Sequence, residues 1–366
     1  VSVMPDAVRR HYELYPYPSY PLFASVRRAD TYANNLEALW SLFNGELPPA
    51  DLARILIAGC GTFAPYPFAV ANPKARVTAL DLSETSLKRA RLHCLVHGVT
   101  GVDFVAGDLL DPALVTGPYG FIDAYGVLHH LCEPATGLRA LAARLGEGGI
   151  MRVMVYSRYT RREEDAIRRA LRLLQVREPE GVQRMVTRSA QGSRLREFFE
   201  NSGEVASRAG LADALLHPQV KSYRIGEFME LVAASGLTPL RFAHRGAHPD
   251  PEREVERILA MEREKKSPGN FVIYLGRGVK GPCPDSRAVF RLNPCLLPVL
   301  SPWRLATAHI PGRLGHENGP LNGTERRFLR RFRHPVQAAE LSPADLERAG
   351  CYADRLFLLR CRELPS

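Results

Sequence analysis

The sequence predicts an α/β protein with a doubly wound, mostly parallel sheet of seven strands that includes an antiparallel edge strand. Short apolar segments alternate with helix-patterned segments from residue 49 to about residue 278, and several apolar segments end in Gly or Asp. Strands that alternate with helices need right-handed crossovers, which build a parallel sheet covered on both faces. The 366 residues, 45% of them hydrophobic, suffice for a large core.

Five strands are predicted first, at 54–58, 76–80, 102–106, 121–125 and 149–156. Helices are predicted between them, one capped by Ser83 and another at 134–145. Further along, helices at 224–234 and 252–266 accompany two last strands at 237–244 and 271–275. A late strand pair of this kind fits an antiparallel edge.

The chain divides into three predicted parts. Residues 1–48 form an aromatic N-terminal cap segment, 49–278 form the sheet domain, and 279–366 form a C-terminal appendage. Within the domain, residues 161–216 are helical and charged, and they predict a lid inserted after the fifth strand. The pattern of the appendage predicts two helices followed by a strand. One interpretation is a winged-helix-like unit, and the other is an element for packing or dimerisation. We favour the second interpretation and leave a homodimer open.

Charge and cysteine content restrict the partners and the compartment. The net charge of +10 suggests an anionic partner, but basic and acidic residues are interleaved, so nucleic acid is the disfavoured choice. Seven cysteines form no C-x-x-C pair, which argues against a structural metal and for a reducing, cytoplasmic compartment. No apolar run has the length that a membrane span needs, so we expect no membrane partner.

A glycine turn, Gly59-Cys60-Gly61-Thr62, follows the first strand directly. Glycines there let the backbone turn sharply and approach a ligand, although an ordinary tight turn explains them equally well. Asp81 ends the second strand about 20 residues after Gly61, where an acid accepts hydrogen bonds from both hydroxyls of a ribose. Together these residues predict a cofactor that contains adenosine.

The residues around the turn favour a cofactor without phosphate. Phe63 stands where dinucleotide enzymes have a third glycine, and a bulky aromatic there suits a pyrophosphate poorly. Asp108, after the third strand, can accept a hydrogen bond from the adenine amine while the Leu109 amide faces a ring nitrogen. A helix cap or turn is the alternative role for Asp108.

The ordered motifs resemble those of class I S-adenosylmethionine-dependent methyltransferases, in particular the group whose fourth strand is followed by Gly-Val-Leu-His-His. The motifs are Ile-Ala-Gly-Cys-Gly-Thr, Ala-Leu-Asp-Leu-Ser, Ala-Gly-Asp-Leu-Leu, Phe-Ile-Asp-Ala-Tyr-Gly-Val-Leu-His-His-Leu and Gly-Glu-Gly-Gly. The resemblance covers residues 50–157 strongly and extends weakly to residue 278.

The resemblance implies S-adenosylmethionine as cofactor, S-adenosylhomocysteine as product, and no metal. It implies contacts to the cofactor from Gly59, Cys60, Gly61, Thr62, Asp81, Leu82, Asp108, Leu109, Tyr125, Gly126 and Val127. Asp81 would bind the ribose, Asp108 the adenine, and 125–127 the methionyl end. The chain departs from the family pattern at Ala58, where an acid is common, and at Phe63. A nicotinamide-dependent oxidoreductase and a non-catalytic cofactor-binding protein are the alternatives from other classes.

Candidate acceptor residues follow the fourth and fifth strands. His129 and His130 predict a general base or a group that orients the acceptor, with packing on the cofactor as the alternative. Tyr156 and Arg158 follow the fifth strand on the same sheet edge, and Arg158 could pair with an acceptor carboxylate or phosphate. A solvated arginine is the alternative.

Residues 11–21 combine four tyrosines with three prolines, which predicts an extended aromatic segment. Tyr12, Tyr15 and Tyr20 are its candidate acceptor-binding residues, and Tyr15 is also a candidate for catalysis. Plain packing of a leader on the domain is the alternative. We therefore predict methyl transfer to a small molecule held under the aromatic segment and the helical lid. Methylation of RNA or protein, using the basic C-terminal part, is the alternative.

Overall fold

The computed structural model describes residues 4–301 and 306–363. The outermost residues of the predicted cap segment and appendage, and residues 302–305 within the appendage, lie outside the described residues.

A central sheet of seven strands in the order β3-β2-β1-β4-β5-β7-β6 organises the molecule. The strands are β1 Arg54–Ala58, β2 Arg76–Asp81, β3 Val102–Ala106, β4 Tyr119–Tyr125, β5 Leu145–Val155, β6 Thr238–Phe242 and β7 Phe271–Gly276. β1 to β5 pair in parallel, and β7 runs antiparallel to both β5 and β6. The predicted fold class is confirmed, with the antiparallel strand at the β5-β7-β6 end of the sheet.

Helices cover both faces of this sheet, and others lie in the segment after β5 and in the appendage. The described α-helices are α1 Met4–Leu14, α2 Leu36–Asn44, α3 Pro65–Ala71, α4 Glu84–Val96, α5 Pro134–Ala143, α6 Arg162–Leu173, α7 Pro179–Arg188, α8 Arg194–Asn201, α9 Arg208–Leu211, α10 Ile225–Ala233, α11 Pro251–Arg263, α12 Gly323–Arg330 and α13 Pro343–Asp354. The Ser83 side chain caps α4 as predicted, since it accepts a hydrogen bond from the Ser86 amide. None of the described helices is long and apolar enough to cross a membrane.

The N-terminal segment and the appendage share one apolar core with a face of the central sheet. Ile57 and Phe121 of the sheet, Trp40 of α2, and Phe290 and Phe357 of the appendage all belong to it. The appendage adds an antiparallel sheet in the order β10-β8-β9, made of β8 Val289–Leu292, β9 Val336–Gln337 and β10 Leu358–Cys361. The segment after β5 has a separate small core, which contains Leu171, Val182 and Phe198.

The N-terminal aromatic segment is only partly extended. α1 continues through Tyr12 to Leu14, and non-helical backbone begins at Tyr15. The first proline after the helix is Pro16, and a proline disfavours helical backbone at the residue before it. The expectation of an extended chain from residue 11 onward is therefore wrong for residues 11–14.

Candidate active site

A cavity of about 790 Å³ opens at the carboxyl ends of β1 to β5. Its walls come from the glycine turn, the ends of the strands, the N-terminal segment and the segment after β5. In an open parallel sheet this edge is where ligands bind. Its lining includes the acids Asp81 and Asp108, which follow β2 and β3, and a polar cluster that contains Tyr12, Arg161 and Asp213.

The glycine turn is closely packed on both sides. Gly59 and Gly61 have φ values of +65° and +56°, the left-handed region that favours glycine. A Cβ on Gly59 would lie 2.5 Å from the Val127 side chain, and one on Gly61 would lie 2.6 Å from the Tyr17 carbonyl oxygen. Both glycines are required here because a side chain would collide with the residues that enclose the turn.

Asp81 is a buried carboxylate on the cavity wall. Its Oδ2 accepts a hydrogen bond from the Gly61 amide at 2.7 Å, and its Oδ1 accepts one from the Ser83 amide at 2.9 Å. Burial raises its pKa, while the Ser83 and Gly61 amides oppose the rise. Each oxygen has a second lone pair that the amides do not use, so the carboxylate can also accept two hydroxyl donors. This arrangement fits a ribose.

Residues beyond β2 and β3 complete the nucleoside end. Leu82, Asp108 and Leu109 line the cavity. Asp108 Oδ1 also accepts a hydrogen bond from the Leu110 amide at 2.9 Å, which is the turn role given as its alternative. The second carboxylate oxygen remains for a ligand donor, so the turn contact and an adenine contact are compatible.

Thr62 differs from the other predicted cofactor residues in its position. It does not line the cavity, whereas Gly59, Cys60 and Gly61 do. Its amide donates to the Tyr17 carbonyl at 3.2 Å, and its hydroxyl donates to the Pro18 carbonyl. Thr62 therefore holds the N-terminal segment against the glycine turn.

Tyr125, Gly126 and Val127 line the cavity. Beside them lies an ion pair that the sequence interpretation missed. Arg152 of β5 binds Asp123 of β4 through two hydrogen bonds, Nε to Oδ1 at 2.6 Å and Nη2 to Oδ2 at 3.0 Å. Both residues line the cavity. A charged side chain in the middle of two otherwise apolar strands was the available signal.

The tyrosines of the N-terminal segment separate into two groups. Tyr12, Tyr17 and Tyr20 line the cavity, whereas Tyr15 does not and contacts His11 and Arg208 instead. Tyr20 packs against Phe63 with ring centroids 4.4 Å apart. The aromatic residue at the third-glycine position therefore anchors the segment above the turn.

A polar cluster from the N-terminal segment and the segment after β5 also lines the cavity. The Tyr12 hydroxyl donates to Asp213 Oδ1 at 2.9 Å. Burial raises the pKa of Asp213 to about 6, although the Tyr12 hydrogen bond opposes this. Arg161 hydrogen-bonds to Glu204, and its guanidinium lies 4.1 Å from the ring centre of Tyr156. Asp213, Arg161 and Glu204 belong to the predicted lid, but the sequence assigned none of them to the site.

Of the two predicted histidines, His130 lines the cavity and His129 does not. His130 Nδ1 lies 2.8 Å from the Gln219 carbonyl oxygen. A carbonyl only accepts, so Nδ1 carries the proton and Nε2 is left as an acceptor. Burial lowers the pKa of His130 to about 4. His129 is fully buried and stacks on Tyr156 at 3.8 Å between ring centroids.

Arg158 lies outside the cavity, whereas Tyr156 lines it. The Arg158 guanidinium pairs with Glu227 at 2.8 Å and borders a second cleft on the surface. The alternative interpretation, an arginine at the surface, describes its position.

Known proteins share this fold. Residues 55–149 match the family model described as a methyltransferase domain. The structure of PKMT2 from Rickettsia typhi in complex with AdoHcy superposes with a TM-score of 0.54 at 14% identity, covering 95% of this chain and 78% of that one. Residues 55–149 are therefore a class I S-adenosylmethionine-dependent methyltransferase domain.

Relatives of this chain differ in how much of it they match. An uncharacterized protein from Synechococcus is 31% identical over 259 residues, covering 67% of this chain and 62% of the relative. A ubiquinone biosynthesis O-methyltransferase from Bordetella bronchiseptica is 41% identical over 98 residues, covering 26% of this chain and 39% of the relative. The chain thus spans less than two thirds of the length of either relative.

The site fits the cofactor of this family, S-adenosylmethionine. Asp81 offers free lone pairs for a ribose, Asp108 offers one for an adenine, and Gly59 and Gly61 put no side chain into the cavity. Among the described residues, no group of three or more His, Cys, Asp or Glu side chains is arranged to hold a metal ion.

Proposed function

We propose that this chain transfers the methyl group of S-adenosylmethionine to a small-molecule acceptor. The observation that carries the proposal is the continuity of the cavity. Asp81 and Asp108, which suit a nucleoside, line the same cavity as the polar cluster with Tyr12 and Asp213. Two segments outside the sheet, the N-terminal segment and the segment after β5, supply that cluster.

The cofactor supplies an activated methyl group on a sulfonium. Transfer therefore has two requirements, which are alignment of the methyl acceptor and a base that takes up any proton the methyl acceptor releases. Asp213 suits the second task, because its pKa of about 6 leaves it ionised yet basic near neutral pH. The Tyr12 hydroxyl donates a hydrogen bond to Asp213 Oδ1. Its oxygen can therefore take up the proton of the methyl acceptor while its own proton moves to Asp213.

His130 suits an orienting role. Its Nε2 can accept a hydrogen bond from an acceptor hydroxyl or amine, while the Gln219 carbonyl fixes the ring. Its pKa of about 4 is too low for it to retain a proton at neutral pH. His129, behind it, supports the stack with Tyr156 and is not proposed as a catalytic residue.

Relatives that carry the shared domain support a small acceptor, since several are named as ubiquinone biosynthesis O-methyltransferases. The basic C-terminal helix does not favour RNA or protein. Arg330 and Arg333 donate to the Leu300 carbonyl, and Arg331 pairs with Asp345. These guanidinium groups hold the appendage together and are not presented together as a phosphate-binding face.

A label-transfer experiment tests the proposal. The purified chain is incubated with S-adenosylmethionine labelled on the methyl group and with a cell extract separated into small molecules, RNA and protein. We expect label in the small-molecule fraction, and less of it with Tyr12→Phe. Label in RNA or protein would overturn the acceptor class, and no label in any fraction would overturn methyl transfer.

A further inference from the structure

We propose that Asp123 and Arg152 together form the binding site for the amino-acid end of the cofactor. Asp123 would accept hydrogen bonds from the ammonium group, and Arg152 would donate to the carboxylate. The inference rests on the proposed function, because it assigns residues to the methionyl part of the same cofactor.

The turn itself offers no charged partner for an ammonium group. Residues 55–62 contain no acidic or basic side chain, and Ala58 stands where an acid is common. Asp81 and Asp108 lie at the nucleoside end, beside β2 and β3. An amino-acid zwitterion beyond the turn must therefore find its charges on the neighbouring strands.

The strand register places the ion pair next to the turn. Ile57 pairs with Asp123, and Asp123 pairs with Arg152, so the three side chains lie side by side on one face of the sheet. Across the sheet edge the order is β3 with Asp108, β2 with Asp81, β1 with the turn, then β4 and β5 with the pair. This is the order of adenine, ribose, sulfur and amino acid in the cofactor.

The pair has unused hydrogen-bonding capacity toward the cavity. Each Asp123 oxygen accepts one bond from Arg152 and has a second lone pair. Arg152 has five N–H donors. Two bind Asp123, Nη1 makes a long contact of 3.4 Å with Asn34 Oδ1, and Tyr274 shares a further hydrogen bond with the guanidinium. A donor remains for a ligand carboxylate.

Stability alone gives little reason for this pair. The Asp123 side chain is 4% exposed and that of Arg152 is 17% exposed, in the middle of apolar strands. Ion pairs at such sites are often no more stabilising than well-packed hydrophobic side chains, because both charges lose hydration. The guanidinium also lies between the rings of Phe68 and Tyr125, which fixes it at the cavity wall.

The cavity contains a second ion pair that serves as the matched control. Arg161 and Glu204 also line the cavity and form an ion pair. They belong to the polar cluster in the segment after β5, whereas Asp123 and Arg152 lie on β4 and β5. The inference requires that the Asp123 pair, and not this one, senses the amino-acid group.

Calorimetric titration with two ligands tests the assignment. S-adenosylhomocysteine carries the amino-acid group, and 5′-methylthioadenosine lacks it but shares the nucleoside and the thioether. In the wild type we expect tighter binding of S-adenosylhomocysteine. Asp123→Asn should reduce the preference for S-adenosylhomocysteine over methylthioadenosine at least tenfold, while the methylthioadenosine affinity changes less than twofold. Glu204→Gln should leave this preference unchanged.

A double variant is the control for misfolding, because a single change leaves one buried charge without its partner. Asp123→Asn with Arg152→Met removes both charges, and thermal stabilisation by methylthioadenosine reports whether the site has folded. A ratio that stays unchanged in the folded variants, or that changes in Glu204→Gln instead, would overturn the inference. Wild-type protein that binds neither ligand would overturn the proposed function itself, whereas equal binding of both would overturn only this assignment.

Discussion

The Gly61 amide donates a hydrogen bond of 2.7 Å to the carboxylate of Asp81, and this contact joins the glycine turn to the acid that faces the ribose position. The opposite side of Gly61 lies against the Tyr17 carbonyl oxygen. One glycine therefore connects the cofactor end of the cavity to the N-terminal segment that covers it.

Gly61→Ala should loosen the N-terminal segment. The new Cβ would collide with the Tyr17 backbone, and the left-handed conformation costs a non-glycine residue about 1–2 kcal/mol. We expect faster proteolysis within residues 15–27 and weaker binding of S-adenosylhomocysteine. Gly98→Ala is the control, because Gly98 has φ +70° but no atom within 4 Å of its Cβ position. Equal proteolysis of both variants would contradict the coupling.

Asp81→Ala should weaken S-adenosylhomocysteine binding by about 1–3 kcal/mol, the scale of a lost hydrogen bond to a charged group. Calorimetry measures the change directly. Asp103→Ala removes an exposed acid from β3 and should leave the affinity unaltered. Full affinity in Asp81→Ala would remove the ribose assignment.

Tyr12→Phe should lower the turnover number at least tenfold, because it deletes the hydroxyl that bonds to Asp213. The expected change in thermal stability is small, since the ring remains. Tyr15→Phe is the matched comparison and should retain turnover within twofold, because Tyr15 does not line the cavity. Equal losses in both variants would mean that the segment acts only through its packing.

The pH dependence of turnover should report Asp213. A carboxylate with a pKa of about 6 accepts protons only when it is ionised, so the rate should fall as the pH drops below about 6. Asp213→Asn should lower the plateau and remove that acidic limb. Rates measured from pH 5 to 8 check this, and an unchanged limb in the variant would assign it to another group.

The buried histidines should make the fold sensitive to acid. Burial lowers the pKa of His11 from 6.5 to about 4, so the folded state keeps it neutral where the unfolded chain binds a proton. Stability is therefore complete above about pH 6.5 and is lost as the pH falls toward 4. Between pH 7 and pH 5 we expect His11 to account for about 2 kcal/mol of the loss.

Urea unfolding at the two pH values measures this loss. His11→Phe should show a smaller loss between them than the wild type does. His334→Gln, at an exposed position, should show the wild-type loss. If His11→Phe and the wild type lose equal stability, the acid sensitivity belongs to other groups.

Local patterns were sufficient for the fold class and for bringing Gly59, Asp81 and Asp108 to one cavity. The alternation of strands and helices placed all five parallel strands, and Gly59, Asp81 and Asp108 follow strands directly, so their meeting at one sheet edge follows from topology. The packing of Phe63, at the third-glycine position, could not be predicted from local patterns. Phe63 conflicted with one cofactor pattern, but its actual partner is Tyr20, more than forty residues away.

The acceptor end depended on tertiary contacts. Tyr12 meets Asp213 across 201 positions of the chain, and no local periodicity records such a contact. Tyr15 and His129 have the residue types expected of a site, yet neither lines the cavity. Tyr15 contacts His11 and Arg208, and His129 stacks on Tyr156. The sequence by itself determined the strands and the residues that follow them, because strand positions and strand ends are local properties. The tertiary structure decided which aromatic, acidic and basic side chains face the acceptor, because that depends on how two distant segments pack over the same edge.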